Sequence, residues 1–292
     1  MRATRRMALY NNASGRGIPM PAERTDAWSN IETAADAARA AAKLIRVGGS
    51  AAATRTRQRA LQLLQLRPGE IVIDVGAGTG VVTADIARLV APGGRVFAVD
   101  PSAALLEKAR AFTHDQGVGH QVDVRVSDGR SLPFGAAFDA AVCHWVLLHV
   151  DEPERIVAEM KRVTRRGGRV LSVEVDWETA MVQPGERSVT RRILNFASDR
   201  HIDAWIGRRL PGIFGAAGFS EVVVHPLFMV DQGAEDRVWL EWLIGKADAA
   251  LEAAVITRDD HTAWTVGLEQ AFAAGTFFFA LVQFAVIGRV PD

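Results

Sequence analysis

The sequence predicts an α/β protein built on a mostly parallel sheet with helices on both faces. Three observations predict it. From residue 70 to residue 176, short apolar runs alternate with longer helix-like runs. Turn punctuation separates them, at Pro92-Gly93-Gly94, Gly117 and Gly167-Gly168. The first apolar run, "IVIDVGAGTG", ends on glycines at alternate positions, Gly76, Gly78 and Gly80. Alternation of this kind marks βαβ units, whose strands are buried on both faces. In such sheets ligands bind outside the carboxyl ends of the strands, so functional residues are expected just after each strand.

The elements follow in order. Residues 1–24 are rich in Arg, Asn, Gly and Pro without periodicity and are expected to be a flexible tail. Ala-rich segments 26–47 and 51–65 read as helices split by Gly48-Gly49, and residues 25–65 are expected to contribute to a lid. Pro68-Gly69 marks a turn. Strands are expected at 70–75, 95–100, 122–127, 138–143 and 169–176, with helices at 79–90, 102–114 and 153–165. After 176 the rhythm changes. Helix 186–199 lies in an insertion near 178–203. Helix 204–217 and strand 221–230 come next, and two helices, 235–256 and 258–274, precede a last strand at 276–289. That makes seven strands in one domain, 66–292, with helical insertions near 178–203 and 235–274.

The 292 residues suffice for one sizeable core. Lys+Arg and Asp+Glu both number 34, a balance that argues against a nucleic-acid binder with its basic face. The single cysteine, Cys143, excludes an intramolecular disulfide and suits a reducing compartment. "TRRMAL" near the N-terminus is followed by polar residues rather than an apolar signal core. The apolar stretch at 277–288 holds Gln283 and is too short to span a bilayer. A cytoplasmic protein is expected, with no membrane partner and no metal.

Glycine lets a backbone turn tightly and a ligand approach closely. The dinucleotide fingerprint needs G-x-G-x-x-G or a final Ala. Counting from Gly76 its third position falls on Val81, and from Gly78 on Thr83, so the pattern fails. The alternative is an acid followed by glycines two apart, Asp74-Val75-Gly76-Ala77-Gly78-Thr79-Gly80. This stretch resembles the first motif of the class I S-adenosylmethionine-dependent methyltransferases. "VFAVDPS" resembles the second, with Asp100, and "VSDGRSLPF" the third, with Asp128. "FDAAVCHWVLLHVDEPERIVAEMKRVTRRGGRV" resembles the long segment of the ubiquinone/menaquinone-type branch, with Arg166-Gly167-Gly168 where that branch usually has Pro-Gly-Gly. The resemblance covers roughly residues 66–230. It implies a Rossmann-like fold with a helical lid, S-adenosylmethionine as cofactor, S-adenosylhomocysteine as product, and a small-molecule acceptor.

By that resemblance the glycine loop, with Ala77, would let backbone amides approach the cofactor's amino acid and ribose. Asp74 would order the ammonium, Asp100 would accept the ribose hydroxyls, and Asp128 the adenine amine. Pro101, Ser102, Gly129, His144 and Trp145 would complete the cofactor site. Other readings stand beside these. Asp100 could cap a helix, and Asp128 before Gly129 could be a turn residue.

Methyl transfer is an in-line displacement, so the protein mainly supplies proximity. A base is needed only where the acceptor must lose a proton. His144, ending the fourth strand, ranks first as base. His149, in the family's Leu-x-His position, ranks second, behind its reading as a packing residue at a helix start. Trp145, His149, Glu174, Trp177, His201 and Trp205 are the candidates for the acceptor side, with Glu174 and Asp176 equally readable as solvated strand-end carboxylates. Trp239 and Trp242, at helical spacing, read first as core. The expected acceptor is bulky, apolar and ring-containing, methylated on oxygen. The alternatives are a nucleic-acid methyltransferase, disfavoured by the charge balance, and a protein that keeps the cofactor but catalyses a non-methylating step. The oligomeric state is open between monomer and homodimer.

Overall fold

The computed structural model describes residues 34–292, with side chains from residue 38 onward. The tail expected at 1–24 and the start of the first helix lie outside the described residues. Seven strands form one sheet: β1 (Ile71–Val75), β2 (Arg95–Asp100), β3 (Val122–Val126), β4 (Phe138–His144), β5 (Thr164–Gln183), β6 (Ser220–Asp231) and β7 (Phe278–Arg289). Their order is β3-β2-β1-β4-β5-β7-β6. The first five are mutually parallel, and β7 runs antiparallel to β5 and β6. The mostly parallel, seven-stranded sheet expected from the sequence is the one observed.

The helices are α1 (Ala34–Gly49), α2 (Ala51–Leu64), α3 (Val81–Val90), α4 (Ala103–Asp115), α5 (Pro153–Val163), α6 (Arg187–Asp199), α7 (Ile206–Ala216), α8 (Val238–Glu252) and α9 (Arg258–Ala273). Local chemistry sets their starts. Ser50 and Ser102 accept from backbone amides three residues on, capping α2 and α4. Thr257 and Asp260 form a reciprocal capping box on α9. Gly48-Gly49 does not itself break the chain; the first helix runs to Gly49, and Ser50 starts the next.

The strand order reverses between β1 and β4. Both strands are apolar on both faces, as central parallel strands must be. Their carboxyl ends, the glycine loop and His144 onward, therefore open a crevice at the switch point, where such sheets take ligands.

One element departs from expectation. The strand expected to end at residue 176 continues to Gln183. Beyond an irregularity between Asp176 and Met181, it keeps pairing with β7, Met181 with Ala280 and Gln183 with Phe278. Part of the expected insertion at 178–203 is thus sheet. This extension, with α6, α8 and α9, encloses a second apolar core holding Trp239, Trp264, Phe277 and Phe279. Trp239 donates its indole N–H to Ser50 Oγ at 3.1 Å, and Trp264 donates to Thr190 Oγ1 at 3.0 Å. The helical layer is therefore a packed body, anchored on the sheet. Arg46 of α1 pairs with Glu241 of α8, which ties the first helix to it. Among the described residues no helix is long and apolar enough to cross a membrane.

Candidate active site

Two adjoining cavities open at the carboxyl ends of β1, β2 and β4. The larger, of about 470 Å³, is lined by the glycine loop, Asp100 to Ser102, Asp128 to Arg130 and the segment from His144 to Val146. The smaller, of about 310 Å³, lies between the β4 loop, the end of β5, and helices α1, α6 and α8. Trp145 and His149 line both, as do Leu44 and Val47 of α1.

The glycine loop answers to sterics. Gly76 has φ +77°, and a Cβ there would sit 2.3 Å from Cγ2 of Val146 on the neighbouring loop. Gly80, φ +81°, precedes α3, and a Cβ there would come within 3.1 Å of the Ala109 backbone on α4. Both positions exclude a side chain twice over, by conformation and by space. The amides behave otherwise than the sequence reading expects. Gly76 and Ala77 donate to Val99 O at 2.8 and 3.0 Å, Gly80 to Ala77 O at 2.9 Å, and Gly78 to Asp100 Oδ2 at 3.0 Å. These four N–H groups hold the loop itself. The bare backbone serves shape and close approach, not a row of free donors.

Asp100 lies at the cavity wall and is nearly buried. Its second oxygen accepts from Ser102 N at 2.8 Å. Ser102, not Asp100, caps α4, accepting from Leu105 N at 3.2 Å. Burial raises the Asp100 pKa, against the two amide bonds that lower it. Pro101 also lines the cavity. Asp128 lines the rim and is engaged by Arg130, whose guanidinium reaches it at 2.8 Å and holds its pKa below the ordinary value. Gly129 has no room for a side chain, since a Cβ would meet Val75 at 2.9 Å. Asp74 differs from expectation. It is buried beneath the loop, outside the cavity lining, and accepts from Thr83 Oγ1 at 2.6 Å. Burial drives its pKa up to about 7.

The β4 loop is held from below. Glu174 is fully buried, and one oxygen accepts from Val146 N at 2.9 Å and Leu147 N at 2.7 Å. Burial raises its pKa to about 8, and its other oxygen has no partner. It lines neither cavity, so the sequence expectation of acceptor contact is corrected: it positions the loop. Trp145 takes a left-handed backbone, φ +59°, which a bulky residue adopts only when its surroundings force it. Its amide donates to Val173 O at 2.9 Å and its indole N–H to Gln283 Oε1 at 3.2 Å. Gln283, wholly buried, in turn donates to Thr56 Oγ1 at 3.3 Å. The polar residue that interrupts the apolar run of β7 is therefore the anchor of Trp145.

His144 also needs correcting. Burial and the nearby Arg57 push its pKa down to about 3, and its Nε2 is shielded without a partner. A ring that resists protonation so strongly is a poor general base. His149, on the boundary of both cavities, is better placed. Around it stands a column of rings. His201 lies parallel on Trp177 with centroids 5.0 Å apart, and Trp177 lies parallel on Trp242 at 5.0 Å. His149 is 6.1 Å from His201. Trp205 is not part of this. It is exposed, lines neither cavity, and carries Arg208 at 4.8 Å over its ring. Asp176 is buried and paired with Arg208.

Sequence reasoning missed several lining residues. Arg57 of α2 is 5% exposed and bonded to Asp85 at 2.7 Å, and a charge on the buried face of an Ala-rich helix was the available signal. Lys43, Phe196, Arg200 and Lys246 carry no such signal, because they come from three helices, α1, α6 and α8, and only the fold brings them together.

A seven-stranded sheet of this order, with a glycine loop and strand-end carboxylates at its switch point, is the Rossmann-like fold of the methyltransferase structures it resembles. Within it, residues 73–172 match the family model described as Methyltransferase domain. The chain is 31% identical over 231 residues to a 37.1 kDa protein in transposon TN4556 of Streptomyces fradiae, covering 78% of this chain and 65% of that one. It is 34% identical over 110 residues to the ubiquinone/menaquinone biosynthesis C-methyltransferase of Hahella chejuensis, covering 37% and 44%. The chain thus spans less than two thirds of either relative. Among solved structures, the YcgJ protein of Bacillus subtilis superposes with a TM-score of 0.55 at 17% identity, over 82% of this chain and 99% of that one. The cyclase SpnF does so with 0.53 at 22%, over 82% and 81%. These two show the shared fold.

Proposed function

We propose that the protein methylates a small, largely apolar molecule, on oxygen, with the larger cavity holding S-adenosylmethionine and the smaller holding the acceptor. The observation that carries this is the meeting of the two cavities at Trp145 and His149. The residues fit the cofactor: a loop whose Gly76 and Gly80 admit no Cβ, and a wall bearing Asp100 and Asp128 against a cationic ligand. S-adenosylmethionine supplies an electrophilic methyl group when bound. Asp100 would accept the ribose hydroxyls, each such bond to a charged group contributing roughly 1.5–3 kcal/mol. Trp177 and Trp242 orient the acceptor ring, and α1 covers the site against water. His149 accepts the proton that an acceptor hydroxyl loses as its oxygen is methylated; burial and Arg57 lower the pKa of His144 and make it the weaker base. Proximity of the kind two adjoining cavities enforce accounts for roughly 7–11 kcal/mol of barrier lowering in well-oriented systems. A carbon acceptor is the second reading, favoured by the C-methyltransferase relative; an acceptor that reacts already ionised would need no base.

The test is to incubate the chain with methyl-tritiated S-adenosylmethionine and a panel of small phenols and enols, and to follow label into the organic phase. Label in a phenol ether supports oxygen transfer, and label retained on carbon after ether cleavage supports the second reading. Absence of transfer to every member, with S-adenosylhomocysteine still bound, would contradict both.

A further inference from the structure

Resting on the assignment of the larger cavity to S-adenosylmethionine, we infer that Arg57 receives the carboxylate at the cofactor's aminoacyl end, and so sets a preference for the whole amino acid over a decarboxylated nucleoside. Arg57 lines that cavity from α2 and is 5% exposed. A guanidinium carries five N–H donors in a rigid fork that fits a carboxylate. Nε gives one to Asp85 Oδ2 at 2.7 Å, Nη1 one to Gly48 O at 2.5 Å, and Nη2 one to Thr54 Oγ1 at 3.4 Å. Among the described residues two donors, one on each terminal nitrogen, are uncommitted. The charge is not balanced either. Asp85 also takes Arg88, whose Nη1 lies 2.9 Å from Oδ1, so one carboxylate serves two guanidiniums. A buried charge left short of partners is costly, and a ligand carboxylate would supply the missing partner.

Strand order says which end of the ligand meets it. Across the sheet run β3, β2, β1 and β4. At their carboxyl ends stand Asp128, Asp100, the glycine loop and His144 in that sequence, all on the cavity wall. With the adenine at Asp128 and the ribose at Asp100, the aminoacyl end is left to the β1 loop and the β4 side. Arg57 belongs to that side. Its partner Gly48 stands against Val81, the first residue of α3, where a Cβ on the glycine would come within 3.6 Å. Its charge is felt at His144, where it adds to burial in lowering the ring's pKa. Arg130, the other arginine on the cavity wall, is held at the far end by Asp128. Arg57 also ties α1, α2 and α3 together, and the two roles part in a binding experiment.

The experiment titrates the full chain calorimetrically with S-adenosylhomocysteine and with S-adenosyl-3-thiopropylamine, the same thioether without its carboxylate. Wild type is expected to bind the first about tenfold or more tightly, the ordinary worth of hydrogen bonds to a charged group. Arg57→Gln should cut that preference to within about threefold by weakening S-adenosylhomocysteine alone. Its affinity for the decarboxylated ligand should stay near wild type, which also shows that the variant is folded. Arg57→Lys, which keeps the charge but not the fork, should fall between the two, and it carries the test where the glutamine variant does not fold. A purely structural Arg57 would weaken both ligands alike and leave their ratio unchanged, which overturns the inference. Equal binding of the two ligands by wild type overturns it as well. Binding of neither ligand would overturn the cofactor assignment together with the inference.

Discussion

The two cavities share a wall but are built from different elements. The larger is lined on strand ends by Asp100, Asp128 and Asp151, with Arg57 and Arg130 beside them. The smaller is lined by helices bearing Lys43, Arg200 and Lys246 among tryptophans and a phenylalanine. Zero net charge says nothing about local field; a cleft focuses the sign of its own lining. On the proposed reading the sheet fixes the side that takes a sulfonium cofactor, and the helical layer fixes the side that takes the acceptor.

The largest expected effect breaks the sheet-built half. Gly76→Ala places a Cβ 2.3 Å from Val146 in a left-handed backbone. Strain at such a position costs roughly 1–3 kcal/mol before the collision is counted. Calorimetry should find no S-adenosylhomocysteine binding, and the melting temperature should fall. Wild-type affinity would mean the loop tolerates a side chain and the steric account is wrong.

The next effect falls on the shared wall. His149→Ala should lower single-turnover methyl transfer to a hydroxyl acceptor by about 10²–10⁴-fold, the ordinary worth of a positioned base. Cofactor affinity should change little, and His144→Ala should cost far less turnover. Equal rates for His149→Ala and wild type would remove it as base and favour an acceptor already ionised.

A smaller effect sharpens what lies beneath that wall. Burial raises the pKa of Asp74 to about 7 and of Glu174 to about 8, while that of His144 is depressed to about 3. Between an acid's unfolded and folded pKa the native state holds a proton that the unfolded chain releases. The unfolded state then binds fewer protons, so stability falls as pH rises. The depressed histidine acts oppositely, adding stability as pH rises from about 3 to its ordinary value of 6.5. From pH 6.5 to 8.5 the two acids dominate, and the melting temperature should decline. Glu174→Gln keeps an oxygen for the amides of Val146 and Leu147 and should flatten the decline. A wild-type melting temperature that holds steady across that window would contradict the burial argument.

What was legible in the sequence was local. Strand ends and glycine turns announce themselves through periodicity and backbone chemistry, and β1, β2, β4 and their loops fall where the pattern puts them. What was not legible depended on distant pairing. Residues 177–183, "WETAMVQ", alternate too weakly to read as strand, and the strand resumes because β7 pairs with Met181 to Gln183. Glu174 read as a strand-end carboxylate available to a ligand, because nothing local shows that the amides of Val146 and Leu147 turn down onto it. Gln283 read only as a blemish in an apolar run, since its partners Trp145 and Thr56 lie 138 and 227 residues away. The smaller chamber was invisible for the same reason: its lining comes from α1, α6 and α8 as well as the strand ends.

The division of labour between the cavities is the central claim, and titration with S-adenosylhomocysteine of wild type, Asp100→Ala and Trp242→Ala tests it most directly. The account predicts that Asp100→Ala weakens binding by roughly 1.5–3 kcal/mol, about 10- to 150-fold, through lost bonds to a charged group. Trp242→Ala, which alters only the smaller cavity, should leave the affinity within about twofold. An unchanged Kd for Asp100→Ala, or a large loss for Trp242→Ala, would contradict it.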